Sequence, residues 1–283
     1  MSNDLIKRPG PKRPDPTIPE QDAASRLKGE LMADALDAMF GNDDDKPAAV
    51  PGAGERPRVI LALANYGHRR GGWDYAKVLQ REMFEAAGGN LEMKFGFYAQ
   101  ENNAGVRKCR ITTRWISDAD DMGNVMGRAE CNCGCYVNVR DVLGQAVKEN
   151  EDRPVQAMVL IVDSIHDGAY PGAPSLDEAA ILANQLRRAG TKLFLIQEGA
   201  DPHTAHNLKY LAKVSGAVYF QFDPRTQERQ LAEMVAMVSV FAAGGENAVK
   251  AKGGEAATLL LEHLKQEPMP ILEKEPERVK VKR

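Results

Sequence analysis

Between Arg58 and Ala243, short apolar runs alternate with stretches whose apolar residues recur every three to four positions. Arg58–Asn65 (RVILALAN) is almost continuously apolar, as expected of a strand buried on both faces. Val155–Asp163 (VQAMVLIVD), Lys192–Gly199 (KLFLIQEG) and the shorter Ala217–Asp223 (AVYFQFD) read the same way. Leu91–Gln100 (LEMKFGFYAQ) and Arg107–Ser117 (RKCRITTRWIS) alternate apolar and polar, the period of a strand. Asp74–Ala87 has helical periodicity and stops at Gly88-Gly89, and further helices are expected at about 137–149, 176–189, 204–214 and 226–242. Only six residues separate Gln100 from Arg107, too few for a parallel crossover, so those two strands form a hairpin. The remaining strands are joined through helices by right-handed crossovers and run parallel. The expectation is an α/β fold: a doubly wound, mostly parallel six-stranded sheet with one antiparallel strand. Ligands of such sheets sit beyond the carboxyl ends of the strands, which directs attention to Tyr66–Trp73, Glu130–Asn138, Ser164–Ser175 and Gly199–His206.

The flanks have a different character. Residues 1–55 read as a proline-rich linker with one short amphipathic helix, on which Leu27, Leu31, Met32, Ala35, Leu36, Met39 and Phe40 share a face. That helix either docks on its own domain or inserts into a partner's groove. Residues 56–243 form the sheet domain. Residues 244–283 read as a flexible tail in which Ala256–Lys265 can form one short helix, ending in a basic cluster from Arg278 to Arg283.

Composition narrows the classes. Lys plus Arg total 37 against 40 Asp plus Glu, a formal charge of −3, which does not indicate nucleic-acid binding. The longest apolar run, Ala157–Val162, is far short of the roughly 20 residues that a membrane span needs. Met1–Pro19 is polar and proline-rich rather than a secretion signal, so the reading is a cytoplasmic protein. Three of the four cysteines fall within five residues, which suits thiols or a metal better than secreted disulfides.

The loops carry the candidate chemistry. Tyr66–Asp74 (YGHRRGGWD) has the glycine spacing of a phosphate loop, but Trp73-Asp74 stand where Lys and Ser/Thr are needed. Arg69 and Arg70 beside a helix start leave a phosphorylated ligand as one alternative. Asp163 closes a buried strand and is followed by Ser164, His166 and Asp167; such near neighbours rarely converge as a nucleophile–base–acid set. In Glu130–Tyr136 (ECNCGCY), alternate cysteines of an extended chain lie roughly 6.5 Å apart. Zinc–sulfur bonds of about 2.3 Å would need a turn at Gly134 to bring Cys131, Cys133 and Cys135 together. Cys109 or His68 would then supply the fourth ligand.

Strand order, hairpin and loops over about residues 56–243 together resemble a von Willebrand factor type A domain of the bacterial, intracellular type. In that family Asp-x-Ser-x-Ser ends the first strand, and a loop Thr and a later Asp complete a magnesium-dependent adhesion site. Here the first strand ends Ala64-Asn65-Tyr66-Gly67-His68-Arg69, the loop Cys133-Gly134-Cys135-Tyr136 lacks Thr, and only Asp163 (LIVDSIHDG) matches. One strand-end carboxylate facing two arginines is a poor magnesium site, so the adhesion site reads as degenerate and no cofactor is expected, with zinc as the alternative. The resemblance implies a non-enzymatic interaction module within a larger assembly, with protein partners and, as for intracellular relatives, an AAA+ ATPase among them. Its binding surface would comprise Asn65, His68, Arg69, Arg70, Trp73, Tyr136, Asp163 and Asp167.

Overall fold

The first apolar run forms strand β1 (Arg58–Ala64), and the alternation around it yields β2 (Glu92–Gln100), β3 (Lys108–Thr112), β4 (Ala157–Val162), β5 (Lys192–Glu198) and β6 (Val218–Phe222). Helices α1 (Gly72–Ala86), α2 (Ala119–Gly127), α3 (Val139–Asp152), α4 (Leu176–Arg188), α5 (Pro202–Ser215), α6 (Glu228–Lys252) and α7 (Glu255–Leu264) accompany them among the described residues. The computed structural model describes residues 54–64, 72–100, 108–127, 139–165, 175–223 and 226–265. Of the linker and amphipathic helix expected over residues 1–55, residues 1–53 lie outside them.

The six strands lie in the order β3-β2-β1-β4-β5-β6. Among the described residues only the β2–β3 pair is antiparallel, as the six-residue spacing requires, and the other strand pairings are parallel. The pleat sends alternate residues to two cores. Val59, Leu61, Met93, Phe95, Val159, Ile161, Phe194, Ile196 and Phe220 pack with α1, α2, α6 and α7. Ile60, Ala62, Met158, Leu160, Val162, Leu193 and Leu195 pack with α3, α4 and α5. Burial on both faces accounts for the unbroken apolar runs of β1 and β4.

Helix boundaries follow from local chemistry. Ser175 caps α4 by accepting the Asp177 N–H at 3.1 Å. Asp201 accepts the Thr204 N–H at 2.7 Å to cap α5, whose first position is Pro202 and whose end is Gly216 in the left-handed conformation (φ 62°). Two departures from the sequence expectation have clear causes. The strand expected over Arg107–Ser117 is regular only over Lys108–Thr112; Thr113 pairs with Phe95, but Ile116 rather than Trp115 bridges Met93. That extra residue is a bulge. The segment Ala119–Gly127, with three acids and two glycines across 118–127, forms a helix nonetheless, because Asp118 caps it at 2.8 Å and Met122 and Met126 bury one stripe.

The packing does not stop at residue 243, and the expected flexible tail is corrected accordingly. Gly244 (φ −154°, ψ 17°) and Gly245 (φ 66°, ψ −164°) interrupt α6, but helix resumes to Lys252 and α7 follows. Val249, Ala257 and Leu260 are fully buried in the α1/α6 core. Apolar residues spaced for one helical face bury more than a short loose tail would leave exposed. Residues 266–283 lie outside the described residues. No helix among the described residues is long and apolar enough to cross a membrane.

Candidate functional site

The strand order reverses between β1 and β4, which lie side by side with Leu63 paired to Ile161. The crevice beyond their carboxyl ends is where open α/β sheets receive ligands. Helices α1, α4, α5 and α6 each follow a parallel strand and therefore begin at this edge. Helix α3 also begins here: its last residue Asp152 pairs with Arg58, at the opposite end of β1, and its 14 residues span about 21 Å.

Asp163 stands one residue past β4, half-buried, at the reversal point. On the neighbouring strand Gln197 is paired to Val162, and the next residue, Glu198, is 5% exposed. Two carboxylates thus close the centre of the sheet. Their support is rigid. The buried Ile165 N–H donates to Thr204 Oγ1 at 3.1 Å, tying the loop after β4 to the first turn of α5. Gln197 Nε2 donates to the Asp201 carbonyl at 2.8 Å, and the Tyr219 hydroxyl donates to Gln197 Oε1 at 2.7 Å. Burial pushes the Tyr219 hydroxyl above its ordinary pKa, so it remains a donor across the physiological range. Gly199 turns the chain after β5 with φ 85°, its N–H bonded to the Phe222 carbonyl at 2.7 Å. Tyr75 in α1 donates to the Glu228 carbonyl at 3.0 Å and joins the starts of α1 and α6. Farther along α5, burial first and then Asp177 push Tyr210 up to about 12, which keeps that phenol neutral between α4 and α5.

The sequence-predicted residues divide as follows. Asp163 stands at the reversal point, one residue past β4. Trp73 lies in the first turn of α1, and Cys109 lies in β3 opposite Ala99, near the carboxyl end of β2. Asn65, His68, Arg69, Arg70, Cys131, Cys133, Cys135, Tyr136 and Asp167 lie outside the described residues. Among the described residues, no three His, Cys, Asp or Glu side chains gather as a metal site. Among the described residues, Asp163 and Glu198 are a sparse donor set for a hard cation. The sequence reading missed Glu198 and Gln197; two polar residues ending the apolar run KLFLIQE were the available signal.

No protein-family model matches the chain, and no curated protein matches it. Solved structures similar to it include the pilus adhesin SpaC from Lactobacillus rhamnosus GG (TM-score 0.48, 11% identity, 69% of this chain and 32% of that one). The chain therefore spans about a third of that adhesin's length. The vWF domain of the type V pili tip protein Mfa5 from Porphyromonas gingivalis is another (TM-score 0.47, 9% identity, 68% of this chain and 97% of that one). A third is an aerotolerance-related membrane protein from Bacteroides fragilis (TM-score 0.43, 15% identity, 64% and 98%). By its own strand order and single antiparallel strand, the chain has a von Willebrand factor A-like fold.

Proposed function

We propose that this chain is a non-enzymatic protein-interaction module, a cytoplasmic subunit of a larger assembly, that binds a protein partner through the carboxyl edge of its sheet without the magnesium usual for the fold it resembles. The observation that carries the reading is the reversal point itself. Asp163 stands there just past β4 and Glu198 ends β5, beside segments braced by Thr204 and Gln197, with five of the described helices starting around them. Rigid scaffolding under a ring of loops suits recognition of a folded surface. An AAA+ ATPase is the partner class that the resemblance suggests.

The test uses the full chain as bait in native lysate. A stoichiometric partner is expected with the wild type and with Lys213→Glu, at the far end of α5, but not with Arg69→Glu/Arg70→Glu or Asp163→Arg. Equal recovery with all four would remove the carboxyl edge from consideration.

A second reading places zinc at the same edge. It is favoured by the position of Cys109 near the carboxyl end of β2, and by the cysteine loop leading directly into Val139, which opens α3 at that end. Native mass spectrometry of chain purified without chelator or nickel decides between them. Bound zinc that is lost in Cys133→Ser supports the second reading, and metal-free folded protein supports the first.

A further inference from the structure

The two edges of the sheet are built differently. Strand β3 (KCRIT) carries Lys108 and Arg110, charges of the kind that keep an open edge from pairing with another chain. Strand β6 (VYFQF), at the opposite edge, has three aromatic residues and no charge. One hydrogen bond fixes which way its backbone points: the Phe222 carbonyl accepts the Gly199 N–H at 2.7 Å, so Phe222 faces β5. Backbone groups alternate along a strand, so Val218 and Phe220 face β5 as well, while Tyr219 and Gln221 direct N–H and C=O away from the sheet. Such an outward row is a template for a further strand. The two faces beside it also differ. Val218, Phe220 and Phe222 enter the core with α6 and α7, whereas Tyr219 is half-buried and Gln221 exposed.

The described residues end beside this edge. Helix α7 places the His263 ring 4.3 Å from the Phe220 ring, and residues 266–283 follow it. Within them Arg278–Arg283 (RVKVKR) alternates valine with cations, the period of a strand with one apolar and one solvated face. Residues 266–277 can span about 40 Å, more than twice the roughly 17 Å of a five-residue strand. We propose that residues 278–283 pair with the outer side of β6 as a seventh strand. Val279 and Val281 then share the face of Phe220, and Lys280 and Lys282 share that of Tyr219 and Gln221. The charges that β6 lacks thereby stand on the new edge, as Lys108 and Arg110 stand on β3. This surface is separate from the carboxyl edge, and its test does not depend on that reading.

Residue-resolved amide exchange on the full chain tests the pairing. The outward amides of Tyr219 and Gln221 exchange about tenfold or more slowly in the wild type than in Val279→Asp/Val281→Asp, while the inward amide of Phe220 is unchanged. A peptide of residues 277–283 (ERVKVKR), added to that variant, restores the slow exchange, and the same peptide with both valines replaced by aspartate does not. Three results overturn the proposal: outward amides that are fast in the wild type, outward amides still slow in the variant, or a variant that ignores the peptide. Protection that rises with chain concentration, together with a dimer by light scattering, overturns the assignment to this segment in favour of a second copy.

Discussion

Trp115 shows how one inserted residue redirects a side chain. In an unbulged β3 it would sit opposite Met93, among the α1-side core. The bulge puts Ile116 there instead, and Trp115 crosses to the other face, where Arg58 stacks 4.5 Å from its ring and its Nε1 donates to Glu149 at 3.0 Å. Lys94 meets the same carboxylate at 2.7 Å, while Arg58 pairs with Glu92 and Asp152, and Glu92 also takes Arg153. Burial by itself would raise the Glu149 carboxyl; the hydrogen bonds from Lys94, Gln145 and Trp115, with the Lys94 charge, bring it below its usual value of 4.5. A carboxyl depressed in the fold contributes stability above its unfolded pKa and loses it as pH falls through the folded value. Melting temperature measured from pH 7 to pH 3 should therefore fall more steeply below about 4.5 in the wild type than in Glu149→Gln. Parallel curves would show that Glu149 is not a source of the acid sensitivity. None of this was legible beforehand: alternation places a strand, but a bulge reverses the face of every residue beyond it.

Among elements, the helices show which signals sequence carries. The Ser175 cap, the Asp201-Pro202 start and the Gly216 stop are local chemistry, and α4 and α5 appear within two residues of their expected places. Ser175→Ala should cost about 1 kcal/mol in chemical denaturation. Helix α2 was invisible because its two methionines make too short a period to outweigh glycine and aspartate. At Gly244 the pattern misled for another reason. Two glycines look like an ending, yet they are a joint: a Cβ on Gly244 would lie 2.7 Å from the Ala248 Cβ. Gly244→Ala should destabilise the chain by roughly 1–3 kcal/mol, the range for overpacking. A variant as stable as wild type would mean that the kink relaxes freely.

For the whole molecule, topology was the most legible level, since one loop length decided which pair is antiparallel, while the apolar run of β6 read like a central strand although it lies at the edge. The site was less so. Asp163 stood out as an acid ending an apolar run, while Glu198, the last residue of its strand, read as part of the run. The arginines and the cysteines at 131, 133 and 135 proposed for the edge lie outside the described residues, and their sequence states chemistry but not position. Asp163→Asn, which keeps the side chain's shape and removes its charge, should in the full chain leave the melting temperature within a few degrees of wild type. A collapse of stability would show that the carboxylate braces the sheet rather than serving the surface.

The contrast between the two ends of the domain has a thermal consequence. Charge pairs hold Arg58 and Glu149 in place, while α7 is held by apolar burial, whose driving force near room temperature is entropic and fades on cooling. Chilling should therefore release the helix that warming leaves seated. The ratio of α7 to α6 amide exchange should rise between 25 °C and 2 °C.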